Sequence, residues 1–236
     1  MNTPSQNNLI RQYLLGRKLP WDILLEVEDH IRTQIQDLEI SGHLTFEDSF
    51  AKVQQTWEKD LRVDRPALTT YDEFLSTPFV RKIYWQKRKK TIVKASLFAV
   101  LMLLSFFILA RLEEKMFTKI FIILITINVA VPIVYYFRYF RIFRFTDKFS
   151  NKVSVFQREF MVWIFILNSF NFIWISKQTL PDFYRLLNFQ KAEDPLYAGF
   201  LLIFTLFWGG MACYCFLFYL KFVKSAQYVK HQLAAL

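Results

Sequence analysis

The sequence predicts an all-α membrane protein, a four-helix transmembrane bundle preceded by a small cytoplasmic three-helix domain. Three observations carry this reading. Hydrophobic residues make up 54% of the 236-residue chain and aromatics 19%, with 27 Phe against 5 Gly; soluble domains hold roughly 45–50% apolar residues even with Gly counted in. The mean hydropathy is positive, at +0.21, although 21% of the residues are charged, so the two classes must be segregated along the chain. The charge itself is divided, with 8 Lys/Arg and 13 Asp/Glu in residues 1–80 but 22 and 7 in residues 81–236. The overall +10 therefore belongs to the segments flanking the apolar runs, where anionic lipid headgroups are the expected partners. A uniformly basic nucleic-acid-binding surface is excluded.

The amino-terminal elements follow from periodicity and caps. Leu9, Ile10, Tyr13 and Leu14 form the apolar face of a first short helix. Leu19-Pro20-Trp21-Asp22 starts a second, with Pro in a first-turn position and Asp22 near the positive end of the helix dipole. Ile23, Val27, Ile31, Ile35 and Leu38 give it one apolar stripe, and Ser41-Gly42 breaks it. Thr45 caps a third helix, with Glu47 and Asp48 in its first turn and Phe46, Phe50, Val53, Trp57 and Leu61 along one side. None of the three is apolar all round, so each needs the others to bury its stripe. A core of about 60 residues is marginal, and docking on the membrane surface or a partner would add to it. Residues 1–63 form this domain and 64–76 a linker. Thr77-Pro78 then starts a helix that runs through a basic cluster and on through the first span. At ~1.5 Å per residue, residues 77–110 reach about 50 Å, so this helix protrudes into the cytoplasm and couples domain to bundle.

The bundle, residues 77–236, rests on four apolar runs at about 92–110, 120–137, 160–175 and 196–220. Crossing a ~30 Å hydrocarbon core takes ~20 helical residues. The third run is the shortest and carries Asn168 and Asn171, while the fourth extends for 25 residues without a charge. Orientation follows Lys/Arg counts near the span ends. Six precede the first span, six lie between the second and third, and three follow the fourth, against three in each of the other loops. Both termini are therefore expected in the cytoplasm. No cleavable signal peptide is expected, because the first apolar run begins only after residue 90.

Chemistry-bearing residues are sparse. Arg138, Arg141 and Arg144 fall at i, i+3, i+6, a slowly winding cationic stripe that reads as a set of lipid-headgroup anchors within an aromatic belt. Glu26 and His30 share a helix face but have only His43 as a further ligand nearby, too few for a metal site. Within the spans, Asn128, Asn168 and Asn171 are the candidate polar site, and interhelical hydrogen bonding is their commoner use. Pro132 frees the carbonyl of Asn128 and can kink the second span. Gly209-Gly210 permits a close helix approach, and Cys213 and Cys215 read as free thiols. No phosphate loop, HExxH, GxSxG or intramembrane acid pair is present in the sequence. No catalytic, cofactor-binding or metal residue is assigned, and an enzyme is not expected.

Residues 9–57 combine a short first helix, Leu19-Pro20, the aliphatic Leu24 and Leu25, Glu28-Asp29-His30-Ile31, a Gly42 break and the helix start Phe46-Glu47-Asp48-Ser49-Phe50-Ala51. This stretch resembles the HAAS, or permease-prefix, domains that precede membrane spans in bacterial proteins. Those domains usually end in a Leu-Gly-x-Pro turn, where this chain reads Gln55-Thr56-Trp57-Glu58. The resemblance implies a multi-pass protein of the bacterial inner membrane in a signalling, regulatory or assembly role. Its cytoplasmic domain would bind a protein partner, with Glu28, Asp29, His30 and Trp57 as the candidate surface. The alternative is a small transport component using Asn128, Asn168 and Asn171.

Overall fold

The computed structural model describes residues 3–64, 77–149, 153–156, 171, 174, 179–190 and 195–234. Among the described residues the protein is all-helical: α1 (Pro4–Leu15), α2 (Trp21–Gly42), α3 (Phe46–Leu61), α4 (Pro78–Leu109), α5 (Glu114–Arg138), α6 (Phe140–Asp147), α7 (Thr179–Leu187) and α8 (Pro195–Ala234). The chain forms two compact units. One comprises Met1–Lys87, Ile142–Arg158 and Phe222–Leu236, the other Arg88–Arg141 and Glu159–Lys221.

In the first unit, α2 packs against both α1 and α3. Thr3 caps α1 reciprocally with Gln6, its side chain accepting from the Gln6 N–H while the Gln6 side chain accepts from the Thr3 N–H. Thr45 caps α3 in the expected way, its Oγ1 accepting from Asp48 N–H at 3.2 Å. The expected stripes turn inward: Ile10, Leu14, Ile23, Val27, Ile31, Ile35, Phe46, Val53 and Leu61 are buried, whereas Leu9 is exposed. Tyr13 meets the Phe50 ring edge-on at a centroid distance of 5.9 Å, joining α1 to α3. One boundary is corrected. Helix α2 runs through Ser41-Gly42, and the reversal falls on His43, which adopts φ 47° and ψ 32°. This left-handed conformation at a helix end usually falls to Gly or Asn, and Gly42 instead closes the last turn.

The unit also extends beyond the expected 1–63 domain. It takes in the start of α4, the stretch Ile142–Arg158 and the end of α8. Of the expected linker 64–76, Asp64 is described, and it pairs bidentately with Arg81 on α4 at 2.6 and 2.7 Å. The remainder of the linker lies outside the described residues.

Among the described residues three long helices, whose apolar stretches supply much of the second unit, are apolar enough to cross a membrane: Pro78–Leu109, Glu114–Arg138 and Gly199–Ala234. Only 17%, 6% and 39% of their most apolar 18-residue stretches are buried. Such outward apolar faces suit lipid and not water. The first helix is continuous from the Thr77 cap through the basic cluster, as its sequence predicts. The expected third span, 160–175, lies outside the described residues except for Asn171 and Trp174.

The core of this unit is aromatic. Phe106, Phe117, Phe121, Trp174, Phe183, Phe204 and Trp208 form one buried cluster with Ile125, Leu180, Leu187 and Leu201. Trp174 is central, with Phe121 at 4.9 Å and Phe183 at 5.2 Å between ring centroids. Helix α7 lies in the loop after the expected third span and closes this core. Tyr184 Oη donates to Leu112 O and Asn188 Nδ2 to Ala110 O, each at 2.8 Å, which tie α7 to the α4–α5 turn.

The Gly209-Gly210 pair has its expected use. A Cβ on Gly209 would fall 2.1 Å from Met102 Cε, and one on Gly210 would fall 3.6 Å from Ala99 Cβ and 3.9 Å from Ala95 O. Where α4 and α8 meet, Gly210 thus faces Ala99 and the Ala95 carbonyl in a close approach, while Gly209 leaves the room that the end of the Met102 side chain fills.

Candidate functional site

Each unit holds a buried polar side chain that joins separate stretches of chain. In the first it is Asp22, at the start of α2 and only 8% exposed. Its backbone N–H donates to Val153 O at 3.1 Å. Its Oδ2 accepts from Ser154 Oγ at 2.8 Å and from Ser225 Oγ at 2.6 Å, while Oδ1 accepts from Ile23 N–H at 2.9 Å. One carboxyl therefore joins α2 to the segment after α6 and to the last turns of α8. Burial pushes the Asp22 carboxyl above the usual carboxylate range, against the opposing pull of Ser225, Ser154, the Lys87 charge and Ile23 N–H. The neighbourhood is sealed by rings: Trp21 meets Phe149 edge-on at 5.7 Å, and Lys87 Nζ sits 5.3 Å from the Phe156 ring centroid.

Asp22 stands at the positive end of a helix dipole, as its place in the sequence predicts, but its serine partners are far away in the chain. Ser154 and Ser225 lie 132 and 203 residues further along, and no local spacing marks them.

The four residues of the candidate partner surface divide. Asp29 and His30 are exposed on α2. Trp57 is half-buried, its Nε1 donating to Gln34 Oε1 at 2.8 Å and its ring edge-on to Phe79 at 5.2 Å. Glu28 is corrected. It is 2% exposed and faces inward, where it accepts from Arg11 Nε and Nη2 at 3.1–3.2 Å and from Arg32 Nη2. The charge is on α2's inner side because Arg11 on α1 and Arg32 one turn on both reach it, so Glu28 is a structural counter-ion and not available to a partner.

In the second unit this side chain is Asn171, 3% exposed. Trp208 Nε1 donates to its Oδ1 at 3.0 Å, while Asn171 Nδ2 and Trp174 Nε1 have no hydrogen-bond partner among the described residues. Asn128 is half-buried on the inward face of α5, which runs Phe117, Phe121, Ile125, Asn128. Asn168 lies outside the described residues.

Arg138, Arg141 and Arg144 are all exposed, but not on one helix. Helix α5 ends at Arg138, Tyr139 turns away with φ −108° and ψ 17°, and α6 begins at Phe140. The expected winding stripe is thus corrected to a helix end followed by a short amphipathic helix. In α6, Ile142, Phe143 and Thr146 are buried while Arg141 and Arg144 face outward. Arg138 lies over the Tyr139 ring at 5.9 Å. Cys213 is half-buried and Cys215 buried, and neither is in a disulfide. Among the described residues no group of three or more His, Cys, Asp or Glu could hold a metal ion.

Compared with protein-family models, with curated proteins and with solved structures, the chain matches none.

Proposed function

We propose that this chain is a four-span protein of the bacterial inner membrane, with both termini in the cytoplasm and a helical cytoplasmic unit that serves signalling, regulation or assembly through a protein partner. One observation carries the reading. The three stretches gathered in the first unit, Met1–Lys87, Ile142–Arg158 and Phe222–Leu236, are the stretches that Lys/Arg asymmetry assigns to the cytoplasm.

Parity supports the fourth span. Segments packed in one aqueous unit lie on one side of the membrane, so an even number of crossings separates Phe156 from Phe222. Helix α8 supplies one, and residues 160–175 are the apolar run available for the other. The exposed arginines after α5 and on α6 then face anionic headgroups at the inner leaflet. The resemblance of residues 9–57 to permease-prefix domains supports the regulatory role. Exposed Asp29 and His30 are the part of the candidate surface open to a partner.

The test is photo-crosslinking in intact cells from a reactive amino acid placed at Asp29 or His30 of the full chain. A discrete protein adduct from these positions, absent from position Phe189, is expected. No adduct from either position defeats the partner reading. A transport role is the second reading, favoured by the Asn171 Nδ2 and Trp174 Nε1 donors, which find no hydrogen-bond partner among the described residues of the buried aromatic core. It predicts loss of solute uptake in Asn171→Leu.

A further inference from the structure

Asp22 is used by nothing in that reading, yet its buried carboxyl accepts hydrogen bonds from Ile23 N–H, Ser154 and Ser225. A buried carboxyl that receives hydrogen bonds from two distant segments holds them by one group. We propose that Asp22 clasps the amino-terminal helices to the segment after α6 and to the tail of α8, and that the clasp loosens when this carboxyl becomes charged. The inference rests on the proposed function, whose cytoplasmic unit it would regulate.

The geometry sets how the clasp responds. Asp22 Oδ2 is shared by the Ser154 and Ser225 hydroxyls, at 2.8 and 2.6 Å, and neither hydroxyl titrates near neutrality. A hydroxyl accepts as well as donates, so both contacts survive when the carboxyl carries a proton. What changes is the charge left in a buried setting, with Val153, Ser154 and Phe156 all buried around it. From α4, Lys87 is the charged group whose field reaches Asp22, and it favours the ionised form. From α2 itself, from the segment 153–156 and from the end of α8, the groups facing the carboxyl are Ile23 N–H, Ser154 and Ser225, all uncharged.

The sign follows by linkage. Burial raises the carboxyl's pKa in the closed unit above its ordinary value, so the closed form binds the proton more tightly than the open form. Closure is therefore fully favoured below the ordinary carboxylate range and weakens as pH rises through the raised value. Opening would free α1–α3, and with them Asp29 and His30, from the rest of the unit. A proton-dependent hold on the partner-binding helices is the regulation the geometry provides.

The experiment uses the full chain in lipid nanodiscs, with Cys213 and Cys215 replaced by Ser and spin labels at Thr33→Cys on α2 and Lys230→Cys on α8. Both positions are exposed and belong to the first unit. Distance distributions between the labels are recorded from acid to alkaline pH. A single short distance at acid pH that gives way to a broader, longer population as pH rises is expected. Asp22→Asn, neutral at every pH and similar in shape, keeps the short distance throughout. Lys87→Gln, which leaves the Ser154, Ser225 and Ile23 donors to Asp22 in place, moves the wild-type transition to higher pH, and Lys87→Arg restores it. A distribution that is constant with pH in the parent, or one that changes identically in Asp22→Asn, overturns the clasp. Either result leaves the membrane topology and the partner adduct untouched, so failure here is distinguishable from failure of the functional reading.

Discussion

Replacing Glu28 by Ala should open α1 and leave the long apolar helices intact. Glu28 is 3% exposed at its side chain and serves two guanidinium groups, Arg11 at 24% and Arg32 at 34% exposure. Arg11 makes three N–H contacts to the carboxylate, at 3.1, 3.1 and 3.2 Å, and it is the charge that bridges α1 to α2. Stripping one partner from a fully buried pair costs about 3–5 kcal/mol. Here both arginine side chains keep a quarter to a third of their surface in water, so the orphaned charges can be partly solvated. The loss should fall near the value of one charge-assisted hydrogen bond, about 2 kcal/mol. Because ~1.4 kcal/mol is tenfold in an equilibrium constant, local opening of α1 becomes roughly thirtyfold more frequent. Hydrogen exchange followed by mass spectrometry reads this directly, as roughly thirtyfold faster exchange for the amides of α1 and little change in α4 or α5. Glu28→Gln, which retains the shape and one acceptor, should lose less. Unchanged protection of α1 in Glu28→Ala would refute the ion-pair argument and return Glu28 to the list of surface residues.

Two further substitutions probe the second unit. Gly209→Val drives a side chain into the flexible end of Met102, which can swing aside, so the cost falls at the low end of the about 1–3 kcal/mol of overpacking; thermal stability in detergent should fall modestly. Adding Met102→Ala should recover most of the loss, and no recovery would contradict the close approach of α4 and α8. Asn171→Leu strips Trp208 Nε1 of its acceptor, which in a membrane bundle costs on average ~0.6 kcal/mol, up to about 1.7. A small drop in the detergent unfolding midpoint is expected, and an unchanged or raised midpoint would show that this hydrogen bond contributes nothing.

Much of the fold was legible because its causes are local. The Thr45 cap, the stripes of α2 and α3, and the continuous helix from Thr77 into the first span all follow from neighbours a few residues apart. So does the use of Gly209-Gly210, since only small residues let backbones meet. Three features escaped for the opposite reason. The inward turn of Glu28 depends on Arg11, 17 residues away on another helix, and an acidic residue on a polar helix reads locally as a solvated face. Tyr139 interrupts the arginine stripe although nothing in YYFRYFRIFRF is a helix breaker. Asp22 carried the right local reading, an acid in a first turn, but its decisive partners come from two distant segments. Covalent neighbourhood writes helices into a sequence. The packing that turns a charge inward is written across it.

One side of the membrane is proposed to hold three separated stretches of chain, Met1–Lys87, Ile142–Arg158 and Phe222–Leu236. A cysteine-free background, with single cysteines at Gln55, Lys148, Lys230, Lys115 and Phe189, makes this measurable with a thiol reagent that cannot cross the membrane. In intact cells Lys115→Cys and Phe189→Cys should react at once. Gln55→Cys, Lys148→Cys and Lys230→Cys should react only after permeabilisation. Labelling of position 148 or 230 from outside, while position 55 stays protected, would contradict the account.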